Sequence, residues 1–215
     1  MMNTKTTTDV QTRTNKAVPV GGGENKNSNP ESEQPHIALI GFMGAGKSAV
    51  GKALAHRLKM PFIDLDEVIA TEAGMSIPEI FKNSGEVAFR AKERRALRGV
   101  LHSDTPCILA TGGGTFIDDT MRENLTERAH TVFLKTDVAT LMGRLSTAGE
   151  IESRPLLTGP DPASTVDRLL KKRTPIYELC EKSITTTARS VDDVVAEIMR
   201  SLQLERTQRT VRADA

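Results

Sequence analysis

The residues best suited to chemistry lie in segment 41–48, which reads Gly-Phe-Met-Gly-Ala-Gly-Lys-Ser. It matches the phosphate-binding pattern G-x-x-x-x-G-K-[ST] at every fixed position, between an apolar run and a helical pattern. Such glycines let the backbone wrap a phosphate, whose charge is favoured by N–H groups and the helix N-terminus. A glycine-rich turn is the alternative, but the full match favours nucleotide binding. We expect the nucleotide to contact Gly44, Ala45, Gly46, Lys47, Ser48 and Ala49.

Two of these residues have distinct expected roles, and a pair of carboxylates follows them in the chain. Lys47 can reach the β- and γ-phosphates, and Ser48 can offer a hydroxyl to Mg²⁺.

Asp64 and Asp66 come where a second apolar run ends, and the carboxyl ends of parallel strands face the ligand crevice. We therefore expect Asp64 to hold Mg²⁺ through water and Asp66 to orient, or take a proton from, a substrate hydroxyl. A helix N-cap is the alternative role for Asp66, and it stays open.

Arginines and glycines further along are candidates for a substrate pocket. Arg90 ends the segment Gly-Glu-x-x-Phe-Arg, and Gly112-Gly-Gly114 follows a third apolar run. Glycines there permit close backbone approach to a ligand. Arg173 lies beside Pro175, where we expect the helix to be interrupted, and it can bind a carboxylate bidentately. For Arg90 the alternative is a solvated helix face, and for the glycines it is a tight turn.

A loop at about 148–162 has the composition of a mobile lid. It contains two glycines and three prolines between two helical patterns. Arg154 precedes Pro155, which biases it toward extended backbone. An arginine on a closing lid can neutralise charge on the transferring phosphate, and a solvated loop arginine is the alternative.

Short apolar runs alternate with helical patterns along the chain, which predicts a parallel sheet covered by helices on both faces. The predicted strands are 36–40, 61–63, 107–110, 131–134 and 183–186. The predicted helices are 47–59, two or three within 66–103, 119–127, 137–146, 162–180 and 191–204.

Composition limits the classes of function. The chain has 215 residues, 38% hydrophobic and 27% charged, with a net charge of +1, so neither nucleic acid nor a membrane is an expected partner. The two cysteines give no disulfide framework or metal spacing. We expect a disordered extension at 1–35, a domain at 36–204 and a flexible tail at 205–215. A cytoplasmic location is favoured over an organelle, because the Thr-rich N-terminal segment also carries acidic residues.

Among nucleotide-binding classes, a small-molecule kinase fits best. A GTPase needs N-K-x-D, and both Asn-Lys pairs of this chain lack the Asp. A motor or transporter ATPase usually places an acidic residue at the end of a later core strand, where this chain has Thr111 and glycines.

Six motifs in a specific order resemble the shikimate kinase family over residues 36–202. They are G-x-M-G-A-G-K-S, D-x-D, G-E-x-x-F-R, G-G-G, R-P-L-L and K-R-x-P-x-Y. The resemblance implies a three-layer α/β fold of P-loop kinase type, with a five-stranded parallel sheet in the order 2-3-1-4-5 and a mobile lid. It also implies transfer of the γ-phosphate of MgATP to the 3-hydroxyl of shikimate. Separately from the resemblance, we expect a monomer.

The resemblance also implies roles for single residues. Asp66, Arg90, Gly113 and Arg173 look like the substrate site, Arg154 looks like the lid residue that contacts ATP, and Ser48 and Asp64 look like the Mg²⁺ side. Arg189 is a candidate for contacting the adenine. Ala49 departs from the Ser or Thr often found there, so one phosphate hydrogen bond is missing. Two alternatives remain: a kinase for another polyol such as gluconate, and a regulatory nucleotide-binding module without catalysis.

Overall fold

A parallel sheet forms the centre of the domain. The computed structural model describes residues 35–147, 157 and 160–213, with side chains described as far as residue 202. In this part of the chain the strands are β1 His36–Ile40, β2 Phe62–Asp64, β3 Ile108–Ala110, β4 Ala129–Lys135 and β5 Lys182–Thr185. They form one sheet in the order β2-β3-β1-β4-β5, with every pair parallel. The strand order implied by the resemblance is therefore confirmed.

Helices connect these strands. They are α1 Lys47–Leu58, α2 Leu65–Ala73, α3 Ile77–Leu101, α4 Asp119–Arg128, α5 Val138–Thr147, α6 Pro162–Tyr177 and α7 Val191–Ala213, with a short 3₁₀ helix at Thr115–Ile117. Among the described residues, no helix is both long enough and apolar enough to cross a membrane.

The core consists of two hydrophobic clusters, one on each face of the sheet. Successive side chains of a strand point to opposite faces. Accordingly, Ile37 and Leu39 of β1 belong to one cluster with residues of α1, α5 and α7. Ala38 and Ile40 belong to the other, with residues of α2, α3 and α4. The strand β1 is buried throughout, as a central parallel strand must be when helices cover both faces.

Helix α3 has a break that matters for the site. It begins with a capping box, in which Ser76 Oγ accepts from the backbone N–H of Glu79 and the Glu79 carboxylate accepts from the N–H of Ser76. At Gly85 the backbone leaves the helical conformation, with φ of 74° and ψ of 177°. Positive φ is readily adopted by glycine. The break starts a new helical segment, which carries Arg90.

Two predicted helix boundaries were wrong. Helix α6 is not interrupted at Pro175 but continues to Tyr177. The proline lies near the C-terminus, so its missing N–H removes one helical hydrogen bond while few residues follow. Helix α7 continues to Ala213 rather than ending at Leu204, and its sequence contains neither glycine nor proline to end it.

Candidate active site

The phosphate loop joins β1 to α1, as its sequence requires. Lys47 is the first residue of α1, and its Nζ donates to the carbonyl oxygens of Gly41 and Phe42, each at 2.9 Å. The ammonium group is therefore held against the start of the phosphate loop. This position lies at the helix N-terminus, where backbone N–H groups favour an anion.

The two carboxylates after β2 have different surroundings. Asp64 Oδ2 accepts from the hydroxyl of Ser48 at 2.8 Å, and Asp64 Oδ1 accepts from the backbone N–H of Asp66 at 3.1 Å. Asp64 is thus the N-cap of α2, and the alternative that Asp66 has this role was wrong. Asp66 lies in the first turn of α2, and its side chain lines a cavity of about 450 Å³.

That cavity connects the phosphate loop with the carboxylates and the glycine turn. Its lining includes Gly44, Gly46, Lys47, Ser48, Asp64, Asp66, Gly112, Gly113 and Arg144. Residues that are far apart in the sequence therefore meet at the carboxyl ends of β1, β2 and β3. A cleft at this edge is the usual ligand position in parallel α/β sheets.

The triple glycine brings the three predicted substrate residues together. A Cβ built on Gly112 would lie 3.3 Å from Asp66 Oδ1, and one on Gly114 would lie 2.6 Å from Arg90 Nη2. A Cβ on Gly113 would lie 3.8 Å from Arg173 Nη1. Side chains from α2, α3 and α6 thus surround one turn of three residues. At Gly114 a larger residue would occupy the space of the guanidinium group.

Arg90 is held by carboxylates of its own helix. Its Nη1 lies 2.5 Å from Glu93 Oε2, and its Nη2 lies 3.4 Å from Glu86 Oε1. Glu93 is fully buried, and its other oxygen accepts from the hydroxyl of Thr115 at 2.6 Å. Burial opposes the charge of Arg90, but the two carboxylates outweigh it, so the pKa of Arg90 lies above its ordinary value. The guanidinium therefore stays charged and in place.

Arg173 approaches the same turn from α6. Its Nη1 donates to the carbonyl oxygen of Gly113 at 3.3 Å, and its guanidinium carbon lies 5.5 Å from the centre of the Phe42 ring. The ring packs under a cation and limits the directions in which it can move. Two arginines therefore approach the same glycine turn, and Asp66 also lies close to it.

Two functional-site residues were missed by the sequence reasoning. Glu93 anchors Arg90, and its i, i+3 spacing from Arg90 was an available signal. Arg144 of α5 donates to the carbonyls of Ala45 at 3.1 Å and Thr186 at 3.1 Å, so it connects the phosphate loop with the residue that follows β5. An arginine inside an ordinary helical pattern gives no local sign of such a contact.

The remaining predicted residues are Arg189, Arg154 and Ala49, and the adenine contact of Arg189 stays a prediction. Arg189 donates to the carbonyl of Thr185 at 3.1 Å and pairs with Glu197 of α7. Arg154 lies outside the described residues, as does most of the predicted lid at 148–162. Ala49 follows Ser48 in α1 and lines the cavity.

The site suits a hard cation that also binds phosphate. Among the described residues, no group of three His, Cys, Asp or Glu side chains could form an all-protein metal site. Mg²⁺ in kinases instead takes one or two protein oxygens, water and phosphate oxygens. The Ser48 hydroxyl and Asp64 carboxylate, 2.8 Å apart, are oxygen donors of that kind.

Comparisons with known proteins agree on one family. The family model for shikimate kinase matches residues 43–203. A shikimate kinase from Ruegeria pomeroyi is 41% identical over 167 residues, covering 75% of this chain and 84% of the relative. One from Nitrobacter winogradskyi is 44% identical over 155 residues, covering 72% and 70%.

Solved structures give the same result. The shikimate kinase of Acinetobacter baumannii in complex with shikimate has a TM-score of 0.74 and 35% identity, covering 80% of this chain and 94% of that one. A shikimate kinase from Bacteroides thetaiotaomicron has a TM-score of 0.72 and 31% identity, covering 79% and 98%. With the matching family model, these similarities show that the chain belongs to the shikimate kinase family of ATP-dependent kinases.

Proposed function

We propose that this protein transfers the γ-phosphate of MgATP to the 3-hydroxyl of shikimate, giving shikimate 3-phosphate and ADP. The observation that carries the proposal is the position of Asp66, Arg90 and Arg173 around one glycine turn, beside the phosphate loop. Family membership and the shikimate complex of a structural relative support the same substrate.

The phosphate loop holds the triphosphate of ATP. Lys47 exchanges its two loop carbonyls for phosphate oxygens, to which it donates with a full positive charge. Backbone N–H groups at the start of α1 add further donors. Mg²⁺ would be held by Ser48 and by Asp64 through water, and when bound it would neutralise part of the phosphate charge. Arg154 remains our candidate for a lid contact to ATP.

Asp66 serves the acceptor alcohol. Its carboxylate orients the 3-hydroxyl and takes the proton while the alcohol oxygen forms a bond to the γ-phosphorus. The bond from that phosphorus to the β-phosphate oxygen breaks, and ADP leaves with its electron pair. Holding donor and acceptor in line accounts for most of the catalysis that such a transfer needs.

Arg90 and Arg173 bind the carboxylate of shikimate. Both can present two N–H donors to a planar carboxylate. Arg90 is fixed by Glu93 and Glu86, so its orientation is set before the substrate arrives. Gly113 belongs to the turn that both arginines approach, and it lets the ligand come close to the backbone.

The proposal also includes the oligomeric state and the cellular compartment of the enzyme. Lys47, Asp66, Arg90 and Arg173 all come from one chain, so a monomer suffices for these contacts. Both cysteines are free thiols in the structure, which suits a reducing, ATP-rich cytoplasm.

A coupled assay of ADP release tests the function. Purified protein with MgATP is given shikimate, quinate, gluconate or no acceptor. We expect ADP release that depends on shikimate, with gluconate at background. Nucleotide binding without shikimate-dependent turnover would favour a non-catalytic module, and faster turnover with gluconate would overturn the substrate assignment. As a control for substitution in general, Gly99→Ala alters a helical position with nothing within 4 Å of the new Cβ, so its shikimate-dependent ADP release should equal that of the unaltered protein.

A further inference from the structure

Tyr177 makes an unexpected contact with the glycine turn. It is the last residue of α6, is fully buried, and donates its hydroxyl hydrogen to the carbonyl oxygen of Gly113. The K-R-x-P-x-Y motif places Tyr177 one helical turn after Arg173. Both side chains therefore reach the turn from the same face of one helix.

One carbonyl oxygen serves both donors. Arg173 Nη1 also donates to Gly113, at 3.3 Å. A carbonyl has two lone pairs and can accept both hydrogen bonds. The arginine bond is longer than the usual 2.7–3.2 Å, so Arg173 is the weaker and more easily released donor.

We infer that Tyr177 is a positioning residue that keeps the Gly113 carbonyl satisfied, so that Arg173 can turn from it to the substrate carboxylate. This inference rests on the proposed function. Among the described residues, Tyr177 and Arg173 are the side chains that donate to this carbonyl, so without the tyrosine hydroxyl Arg173 alone would satisfy it. Binding shikimate would then leave a partly buried acceptor unpaired, and this penalty would weaken substrate affinity.

The surroundings keep the hydroxyl in this role. The Tyr177 ring packs against Phe133, with ring centres 5.1 Å apart. Burial raises the pKa of the Tyr177 phenol above its ordinary value, so the hydroxyl keeps its proton and remains a donor. A donor on a buried, packed ring fixes the glycine turn more firmly than the longer hydrogen bond from Arg173 does.

A double-mutant cycle tests this role. Tyr177→Phe keeps the ring and removes only the hydroxyl. We expect it to raise the KM for shikimate about 3- to 10-fold, as for one neutral hydrogen bond, while the KM for ATP changes less than about 2-fold. In an Arg173→Ala background the same change should have no further effect on the KM for shikimate, because no arginine remains to be released.

A matched control separates positioning from stability. Ile198→Val removes buried volume from the hydrophobic cluster on the other face of the sheet, which does not include Tyr177, so it should lower Tm and leave the KM for shikimate unchanged. The inference is overturned if Tyr177→Phe lowers Tm without changing that KM, or if it raises KM equally in the Arg173→Ala background. Absence of shikimate turnover in the unaltered protein would instead refute the proposed function itself.

Discussion

Replacing Gly114 by alanine is a direct test of the glycine turn. The Cβ of that alanine would lie 2.6 Å from Arg90 Nη2 and 2.8 Å from Nη1. Gly114 has φ of −105° and ψ of −12°, which an alanine also adopts. The effect is therefore one of space and not of backbone conformation. Because the crowded atoms are the end of a long side chain, the arginine moves rather than the loop.

The size of the movement sets the expected loss. To restore an ordinary contact distance of 3.4 Å, the guanidinium must retreat by roughly 0.8 Å. A displacement of about 1 Å in a positioning group can lower activity by about 10²-fold. The upper limit is complete loss of a charge-assisted pair, which contributes about 1.5–3 kcal/mol. We therefore expect Gly114→Ala to raise the KM for shikimate by about 10- to 100-fold.

Steady-state kinetics with shikimate varied at saturating MgATP measure this effect. Arg90→Ala sets the upper limit, with a rise in the KM for shikimate of more than about 10-fold. Gly99→Ala is the control for a glycine replacement without contacts. The KM for ATP should not change in any of the three. An unchanged KM for shikimate in Gly114→Ala would refute the reasoning, as would an equal rise in the KM for ATP.

Three further predictions concern catalysis, packing and pH. Asp66→Asn should lower kcat by about 10²- to 10⁴-fold, while ATP binding measured by calorimetry persists; near-normal turnover would remove Asp66 from catalysis. Gly51→Ala puts a Cβ 2.4 Å from the Phe62 ring and should lower the free energy of unfolding, measured in urea, by about 1–3 kcal/mol. Gly99→Ala, as the control, should be neutral or stabilising. Equal changes in the free energy of unfolding for the two variants would contradict this packing. The pKa of buried His36 is lowered by desolvation, so on acidification the unfolded state binds a proton before the folded state does, and stability falls as pH drops below about 6.5. In His36→Asn the fall in Tm with decreasing pH should be smaller. Identical pH profiles of Tm in the two proteins would count against a neutral His36.

Much of the fold could be predicted because its signals are local. The run 36–40 forms β1 with the predicted bounds, since a strand buried on both faces must be apolar throughout. Ser76 and Pro78 mark a helix start that the capping box explains. Pro175 misled the prediction, because its effect depends on how close the helix end lies, which the sequence pattern does not show.

The candidate site could be predicted only where a motif named its residues. Asp66, Arg90 and Arg173 were named, and the structure places them around one turn. Glu93 and Tyr177 were missed as contacts of that turn, because their roles depend on burial and on distances between α3, α6 and the glycines. Such contacts arise when helices pack together, and no single segment encodes them.

The pairing of two arginines with a substrate carboxylate is the central claim, and the methyl ester of shikimate tests it most directly. The ester keeps the hydroxyls but removes the negative charge. We predict that kcat/KM of the unaltered protein falls by about 100-fold or more with the ester, since two charge-assisted interactions are lost. In Arg90→Ala the difference between acid and ester should shrink by about 10-fold or more. Equal kcat/KM values for acid and ester in the unaltered protein would contradict the account.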